Sequence, residues 1–451
     1  MGKKIRIGCG AGYAGDRIEP AVELMEKGNL DYIIFECLAE RTMAIAQQDK
    51  LKNLKKGYNF LMEERMKKIL PLVQKYKIKV ITNMGAANPI SAVEESARIC
   101  QSLGIKGIKF AAVTGDDIFK DIGKYEECNI LELDCPLKEI SNHLISANIY
   151  CGAEGIIQAL ENDADIIITG RVSDPSLTIG PLVYEFGWNT EKNKEQMGQA
   201  VLAGHLLECG GQVTGGYFAD PGHKDVPMLE QLGFPIVEID EKGGFTISKV
   251  KGSGGMVTIE TCKEQMLYEI HDPQKYMTPD AIADFSGVSF CQLEKDVVKV
   301  ENATSHGKPE LLKVNIGYQD CFIGEGEISY GGSNCLARAK LAAEIVRKRL
   351  KLIGSGIEEY REDFIGYNSL YKSAISDQYT SGEYPEVRLR CAGRTKARKD
   401  ATLIGNEVES LYTNGPAGGA GATKNIKEVI AVGSIFIPRN MVQIEICYKE
   451  V

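Results

Sequence analysis

Apolar and polar positions alternate in short blocks over the first 190 residues, and each block reads as a strand or an amphipathic helix. Ile5–Cys9, Tyr32–Phe35, Lys79–Thr82, Lys109–Val113 and Asp165–Thr169 are compact apolar runs of strand length. Between them, apolar residues recur at helical spacing from Ile18 to Lys27, in "AERTMAIAQQDK", in "PISAVEESARICQSLG" and in "YCGAEGIIQALENDA". Strands that alternate with helices at this spacing predict βαβ units, hence an α/β fold with a parallel sheet and flanking helices. After about residue 190 the texture changes. "EQMGQAVLAGHLLECGG" predicts one more helix with a glycine stop, and Gly243–Gly244 between alternating runs predicts a hairpin. "GGSNCLARAKLAAEIVRKRL" predicts a helix with basic residues in its last turns, and "EVRLRCAGR" and "VQIEICYK" alternate like half-buried strands. The expected organisation is an α/β domain over residues 1–255 and an α+β domain over 256–451.

Composition narrows the classes. The 451 residues carry a net charge of −9 with no block of Lys or Arg, which excludes a non-specific nucleic-acid surface. No apolar run reaches the roughly 18 residues of a membrane span, so no membrane insertion is expected. The 13 cysteines are odd in number and form no CxxC pair, and no signal peptide opens the chain. Reduced thiols in a cytoplasmic protein are therefore expected. The five histidines show no HExxH or other dense ligand spacing, so no built-in zinc site is predicted.

The chemistry concentrates at the strand ends. The five runs end in "GCGAGYAGDR", "ECLAERT", "NMGAANP", "TGDD" and "GRVSDPS". In a parallel sheet the carboxyl ends of the strands share one edge, where ligands bind, so all five clusters are expected to converge there. The first contains GxGxxG from Gly10 to Gly15, a pattern that can cradle a phosphate at a helix start. Asp16 and Glu19 put acids where a pyrophosphate would want none. That leaves a dinucleotide site, a plain turn, or a polar or anionic substrate held by Gly12, Gly15, Asp16 and Arg17.

The remaining clusters divide similarly. Glu36 reads as a base or a strand-end acid, and Glu40 as a helix-start acid favoured by the dipole. Asn83 is a ligand candidate together with the backbone of Gly85 and Ala86. Asn88 before Pro89 fits a ligand or an N-cap. Asp116 and Asp117 suit a divalent cation held through water, or a capping loop. Arg171 could clamp a carboxylate with Asp174 as a base, or the two could form an ion pair that shapes the turn. His205 shares a helix face with Glu208 and Cys209 and reads as acid, base or ligand, while Cys209 reads as a thiolate nucleophile or as packing at a helix end. The glycine runs at 251–256, with Gly254, and at 414–423 suit an anion wrap, a linker or a subunit contact, and a homo-oligomer is expected.

These stretches carry a family resemblance. "GAGYAGDRIEPAVEL", "DYIIFECLAERT", "VITNMGAANP", "AAVTGDD", "DIIITGRVSDPSL", "CGGQVTGGYF", "LYEIHDP" and "TNGPAGGAGA" resemble, in order, the acyclic terpene utilisation AtuA family. The resemblance implies a cytosolic protein of catabolic gene clusters that also hold acyl-CoA carboxylases, dehydrogenases and hydratases. Longer relatives add a small C-terminal domain that this chain lacks, so a separate small subunit is an expected partner. The resemblance carries over no catalytic residue.

Together these readings favour an enzyme acting on a small-molecule substrate, an organic acid or acyl-CoA, as a lyase, hydratase or isomerase. Glu36, Asp116, Asp174 and His205 are the acid–base candidates, with Arg171 and the "NMGAAN" amides as oxyanion donors. CoA would enter as part of the substrate, and a divalent cation stays open. The alternatives are an NAD- or flavin-dependent oxidoreductase and a non-catalytic subunit of a catabolic complex.

Overall fold

The computed structural model describes residues 2–379 and 384–451. The chain divides into two compact units, Met1–Gly317 with Val432–Val451, and Tyr318–Ala431. The expected boundary near residue 255 falls inside the first unit.

The first unit is built on a ten-stranded sheet. Its strands are β1 (Lys4–Cys9), β2 (Tyr32–Phe35), β3 (Lys79–Thr82), β4 (Lys109–Thr114), β5 (Ile166–Thr169), β6 (Pro235–Asp240), β7 (Phe245–Lys249), β8 (Ser289–Glu294), β9 (Val297–Glu301) and β10 (Glu445–Glu450). They lie in the order β8-β9-β7-β6-β1-β2-β3-β5-β4-β10. The centre, β1-β2-β3-β5-β4, is parallel. The flanking strands add antiparallel, including the expected hairpin β6–β7 around Gly243. The fold class is α/β, as the strand–helix alternation implied. "VQIEICYK" is a strand as predicted, yet it pairs with β4 in the first unit, where it closes a parallel edge that would otherwise present unpaired N–H and C=O groups.

The helices of this unit are α1 (Glu19–Lys27), α2 (Glu40–Lys52), α3 (Met62–Tyr76), α4 (Pro89–Ser102), α5 (Glu154–Glu161), α6 (Ser176–Phe186), α7 (Lys194–Glu208) and α8 (Ile259–Leu267). Successive residues of each central strand face opposite layers. Ile33, Phe35, Val80, Phe110, Ile166 and Ile168 pack with α1, α3 and α4. Tyr32, Ile34, Ile81, Ala111 and Ile167 pack with α5, α6 and α7. Both faces are covered, which is why these strands read as unbroken apolar runs rather than alternations. No helix was expected at α3, α6 or α8. In α3, Met62, Met66, Ile69, Leu70 and Val73 are buried at helical spacing, so the signal was present. Helix α6 is buried from Ser176 to Val183 and has no polar face to betray its period.

The second unit is a sheet with helices on it. Ile357–Ile365 pairs antiparallel with Glu386–Thr395, which pairs with the portion of strand Leu311–Gly331 lying in this unit, followed by Gly419–Pro438. Apolar residues of Cys335–Leu352 and Arg398–Glu409 pack onto one face, joining Leu389, Cys391 and Ile328. Arg388, Arg390 and Arg394 form cross-strand ion pairs with Glu327, Glu325 and Asp320. The expected α+β character is present here.

One close approach positions the functional residues of the first unit. Gly204 in α7 lies against Pro175, and a Cβ there would sit 2.7 Å from the Pro175 Cα and 2.9 Å from its carbonyl oxygen. The glycine thus brings α7, with His205 and Glu208, up to the turn that carries Asp174. Helix propensity alone favours Ala over Gly by about 1 kcal/mol. Overpacking costs about 1–3 kcal/mol, and backbone atoms cannot swing aside as a side chain would. Gly204→Ala is therefore expected to lower stability on balance, read as a lower urea midpoint with an unchanged slope; a raised midpoint contradicts the packing argument.

Candidate active site

Three of the five strand-end clusters line one cavity of about 840 Å³, and the other two stand directly behind it. The first cluster is a turn closed on itself. The Gly12 amide donates to Asp16 Oδ2 at 2.8 Å and the Arg17 amide to Asp16 Oδ1 at 2.9 Å. Asp16 therefore occupies the position a phosphate would take, which removes the basis for a dinucleotide fingerprint. Gly12 is required for a different reason: a Cβ there would meet the Cys209–Gly210 backbone at 2.3–2.5 Å. Gly15 sits beside the rings of Tyr13 and Phe60. Beneath the turn, buried Arg65 donates to the Asp16 carbonyl at 2.9 Å. Arg17 reaches outward to the Leu229 carbonyl at 3.0 Å.

Arg171 is the hub of the cavity. It is 1% exposed, and its Nη1 donates to the Leu38 carbonyl at 2.7 Å, the Val172 carbonyl at 3.2 Å and Asp174 Oδ1 at 2.7 Å. The guanidinium carbon lies 3.8 Å from the centroid of the Tyr150 ring, a cation–π contact. Its Nε is buried without a partner. Asp116 stands behind this turn, its Oδ2 accepting from the Arg171 amide at 3.0 Å and from Asn148 Nδ2 at 2.8 Å. Burial pushes its carboxyl up to about 6. Asp116 thus supports the Arg171 backbone, whereas Asp117 accepts from the Phe119 amide. The two acids do not share a ligand position.

Glu36 faces the cavity at the end of β2. Its Oε1 accepts from the Leu38 amide at 2.8 Å and from Asn83 Nδ2 at 2.9 Å, while Asn83 Oδ1 accepts from the Cys37 amide at 2.7 Å. Asn83 therefore orients Glu36 from behind. Burial, and then the Asp174 carboxylate nearby, push Glu36 up to about 8. Burial likewise raises Asp174, with the Arg171 charge opposing it. For Glu40 burial acts upward too, but Arg171 and Lys313 outweigh it and hold the carboxylate low. Lys313 Nζ and the Tyr150 hydroxyl both donate to Glu40 Oε1, at 3.2 and 3.3 Å.

The remaining predicted ligands shape loops. A Cβ on Gly85 would meet the Thr169 carbonyl at 2.5 Å, and Ala86 takes a left-handed φ of 46° in the same turn. Asn88 caps α4 through the Ser91 amide and donates to the carbonyls of Leu54 and Lys56. Gly254 packs against the Met228 and Gln231 carbonyls. None of these four lines the cavity.

His205 and Glu208 form a buried pair, with Nδ1 and Glu208 Oε1 2.9 Å apart. His205 Nε2 lies 3.2 Å from the Met266 carbonyl, which can only accept, so Nε2 carries a hydrogen. One further proton is shared between Nδ1 and Oε1. Burial pulls the imidazole down, but Glu208 more than offsets that and holds it above its ordinary value. Burial raises Glu208 to about 7. Both ring nitrogens are thus engaged, and Glu208 is the member of the pair that lines the cavity. The Cys209 thiol also lines it, but burial raises its pKa and leaves little thiolate. Among the described residues no group of three or more His, Cys, Asp or Glu is arranged to hold a metal ion.

A smaller cavity of about 350 Å³ shares Tyr150, Asp174, Glu208 and Glu269 with the larger one. Tyr150, Lys313 and Glu269 were not predicted. Tyr150 had a weak signal, standing just before the glycine-rich start of α5. Lys313 had none, since 273 residues separate it from Glu40.

These features define an α/β protein with a charged, tyrosine-lined cavity at the carboxyl ends of its parallel strands. The chain belongs to the acyclic terpene utilisation family of AtuA proteins, whose profile matches residues 5–448. Membership implies a role in acyclic terpene catabolism. No curated protein and no solved structure matches the chain. Among the described residues, no helix is long and apolar enough to cross a membrane.

The raised carboxyls make stability pH-dependent. A carboxyl held at about 8 in the fold and near 4.5 when unfolded binds more protons in the native state. Its contribution is full below about pH 4.5 and is lost as pH rises through 8. Unfolding free energy from urea titrations should therefore fall over that interval. Glu36→Gln keeps both hydrogen-bond acceptances on its amide oxygen and should gain on the wild type between about pH 4.5 and 8, with the difference constant above 8. Parallel curves for the two proteins would show that Glu36 titrates normally.

Proposed function

We propose that the protein is an acid–base enzyme of terpenoid breakdown. It acts on an organic acid or its CoA thioester by adding or eliminating water or by moving a double bond. The observation that carries this reading is the juxtaposition of Arg171 with Glu36 in one cavity. A fixed cation with an unpartnered N–H stands beside a carboxyl whose proton exchanges near neutral pH.

In the eliminating direction the substrate carbonyl oxygen accepts from Arg171. Ionised Glu36 removes a proton from the adjacent carbon, and the C–H electrons move onto the oxygen as an enolate stabilised by the guanidinium. The enolate collapses to form the carbon–carbon double bond and break the next C–O bond. Glu208 supplies the proton with which the hydroxyl departs as water, its carboxyl turning so that the proton shared with His205 Nδ1 faces the substrate. Hydration runs through the same steps in reverse, and isomerisation returns the first proton to a different carbon. Asp174 fixes Arg171, and Asp116 and Asn83 hold the two reacting groups in place from behind. Tyr217, Tyr268, Leu229, Leu232 and Phe234 give the larger cavity an aromatic and aliphatic wall beside its charged residues. The 13 unpaired cysteines support a reducing cytoplasmic setting. A homo-oligomer and a separate small subunit are the assemblies this reading expects.

In D₂O the wild type should place deuterium on the carbon next to the carbonyl of branched organic acids or their CoA esters, followed by mass spectrometry. Glu36→Gln should slow that exchange by about 10²–10⁴-fold. Exchange at the wild-type rate in Glu36→Gln rules out the assignment. Turnover should follow a bell-shaped profile, because Glu36 must be ionised, near pH 8, while Glu208 keeps its proton, near pH 7.

A further inference from the structure

The smaller cavity is not used by the chemistry above, yet it opens on the same wall. Glu208 belongs to both cavities, and its Oε2 is buried with no hydrogen-bond partner. Its protonation does not change what that atom needs. The shareable proton lies on the Oε1 side, between Glu208 and His205 Nδ1, so Oε2 is an acceptor whether the pair is neutral or ionised. A buried acceptor without a partner calls for a donor from a ligand or water. Arg171, which lines the larger cavity, carries at Nε a buried donor without an acceptor. Beyond Glu208 the smaller cavity has an apolar part, Met277, Pro279, Leu311, Leu312 and Phe436, beside the charged Asp174, Glu269 and Lys313.

We propose that the smaller cavity is a subsite for the hydrocarbon chain of a hydroxy acid or hydroxyacyl thioester. The carbonyl end of the ligand lies on Arg171, and its hydroxyl donates to Glu208 Oε2 on the wall between the cavities. This rests on the acid–base reading for the place of the carbonyl and deepens it by naming a substrate class with three parts. An acceptor group, a hydroxyl and an apolar chain are each matched by an unmet requirement of the protein. The larger cavity then keeps room for whatever the carboxyl end carries.

Binding rather than turnover tests this, so its outcome is separable from that of the proposed reaction. The probes are straight-chain 3-hydroxy acids of increasing length and the same acids without the hydroxyl, measured by titration calorimetry. Affinity should rise by about fourfold per methylene, the fold-change of a buried CH₂. At equal length the hydroxy acid should bind about tenfold tighter, the order of one hydrogen bond to a charged group. Leu311→Trp and Met277→Trp fill the smaller cavity at positions that are half exposed, so the fold should tolerate them. Each should flatten the length dependence and leave the shortest acids bound as in the wild type. Glu208→Leu should erase the hydroxyl preference, and a thermal unfolding scan checks that it stays folded. Should it fail to fold, the wild-type comparison of paired acids still decides the hydroxyl claim. A length dependence that survives both tryptophans, an absent hydroxyl preference in the wild type, or no binding of any acid overturns the proposal. Binding as described without deuterium exchange leaves the subsite standing and removes the reaction.

Discussion

The site depends on keeping one guanidinium charged where almost no water reaches it. A bare cation at the Arg171 position would be costly, and the protein meets that cost locally. One amino group serves two carbonyls and Asp174, the Tyr150 ring covers a face, and Glu36 and Glu40 add opposite charge nearby. These partners come from four parts of the chain: the ends of β2 and β5, the start of α2, and the segment before α5. The turn that presents Arg171 is in turn fixed by Asp116 from the end of β4. Holding that charge therefore organises most of the strand-end loops at once.

The same arrangement sets the acids apart from one another. Glu40 sits between two cations and stays ionised, whereas Glu36 and Glu208 are buried with weaker compensation and hold protons to near-neutral pH. Carboxyls of identical chemistry thereby acquire different roles from their surroundings alone. His205 shows the complementary case. The sequence offers it as an independent acid or base, but both of its ring nitrogens are engaged, one by Glu208 and one by the Met266 carbonyl.

Much of this was legible in the sequence where local pattern decides structure. The five parallel strands were readable because burial on both faces leaves apolar runs, and their polar ends marked the ligand edge. Arg171, Glu36 and Asp174 stood out as charged residues immediately after such runs. The sequence could not rank the clusters by depth. Asn83 and Asp116 occupy positions equivalent to Glu36 and Arg171 along their own strands, yet their side chains turn to Glu36 and to the Arg171 amide and do not line the cavity. The glycine pattern misled for a similar reason, since whether Gly12 offers its amide depends on where the Asp16 side chain turns. Lys313 was invisible and Tyr150 gave only a weak signal, because their roles arise from long-range approach in the folded first unit.

The β4–β10 pairing bears on how the first unit is made. Residues 445–450 complete a sheet whose first strand begins at Lys4, with the whole second unit encoded between them. On the ribosome, the parallel core emerges hundreds of residues before its last strand, so β4 spends that time as a bare edge. The sheet closes only after residue 450 has left the exit tunnel. Such late, non-local closure is slow to find and exposes a template for intermolecular pairing in the interval. Completing the sheet thus waits on a six-residue strand encoded after the second unit.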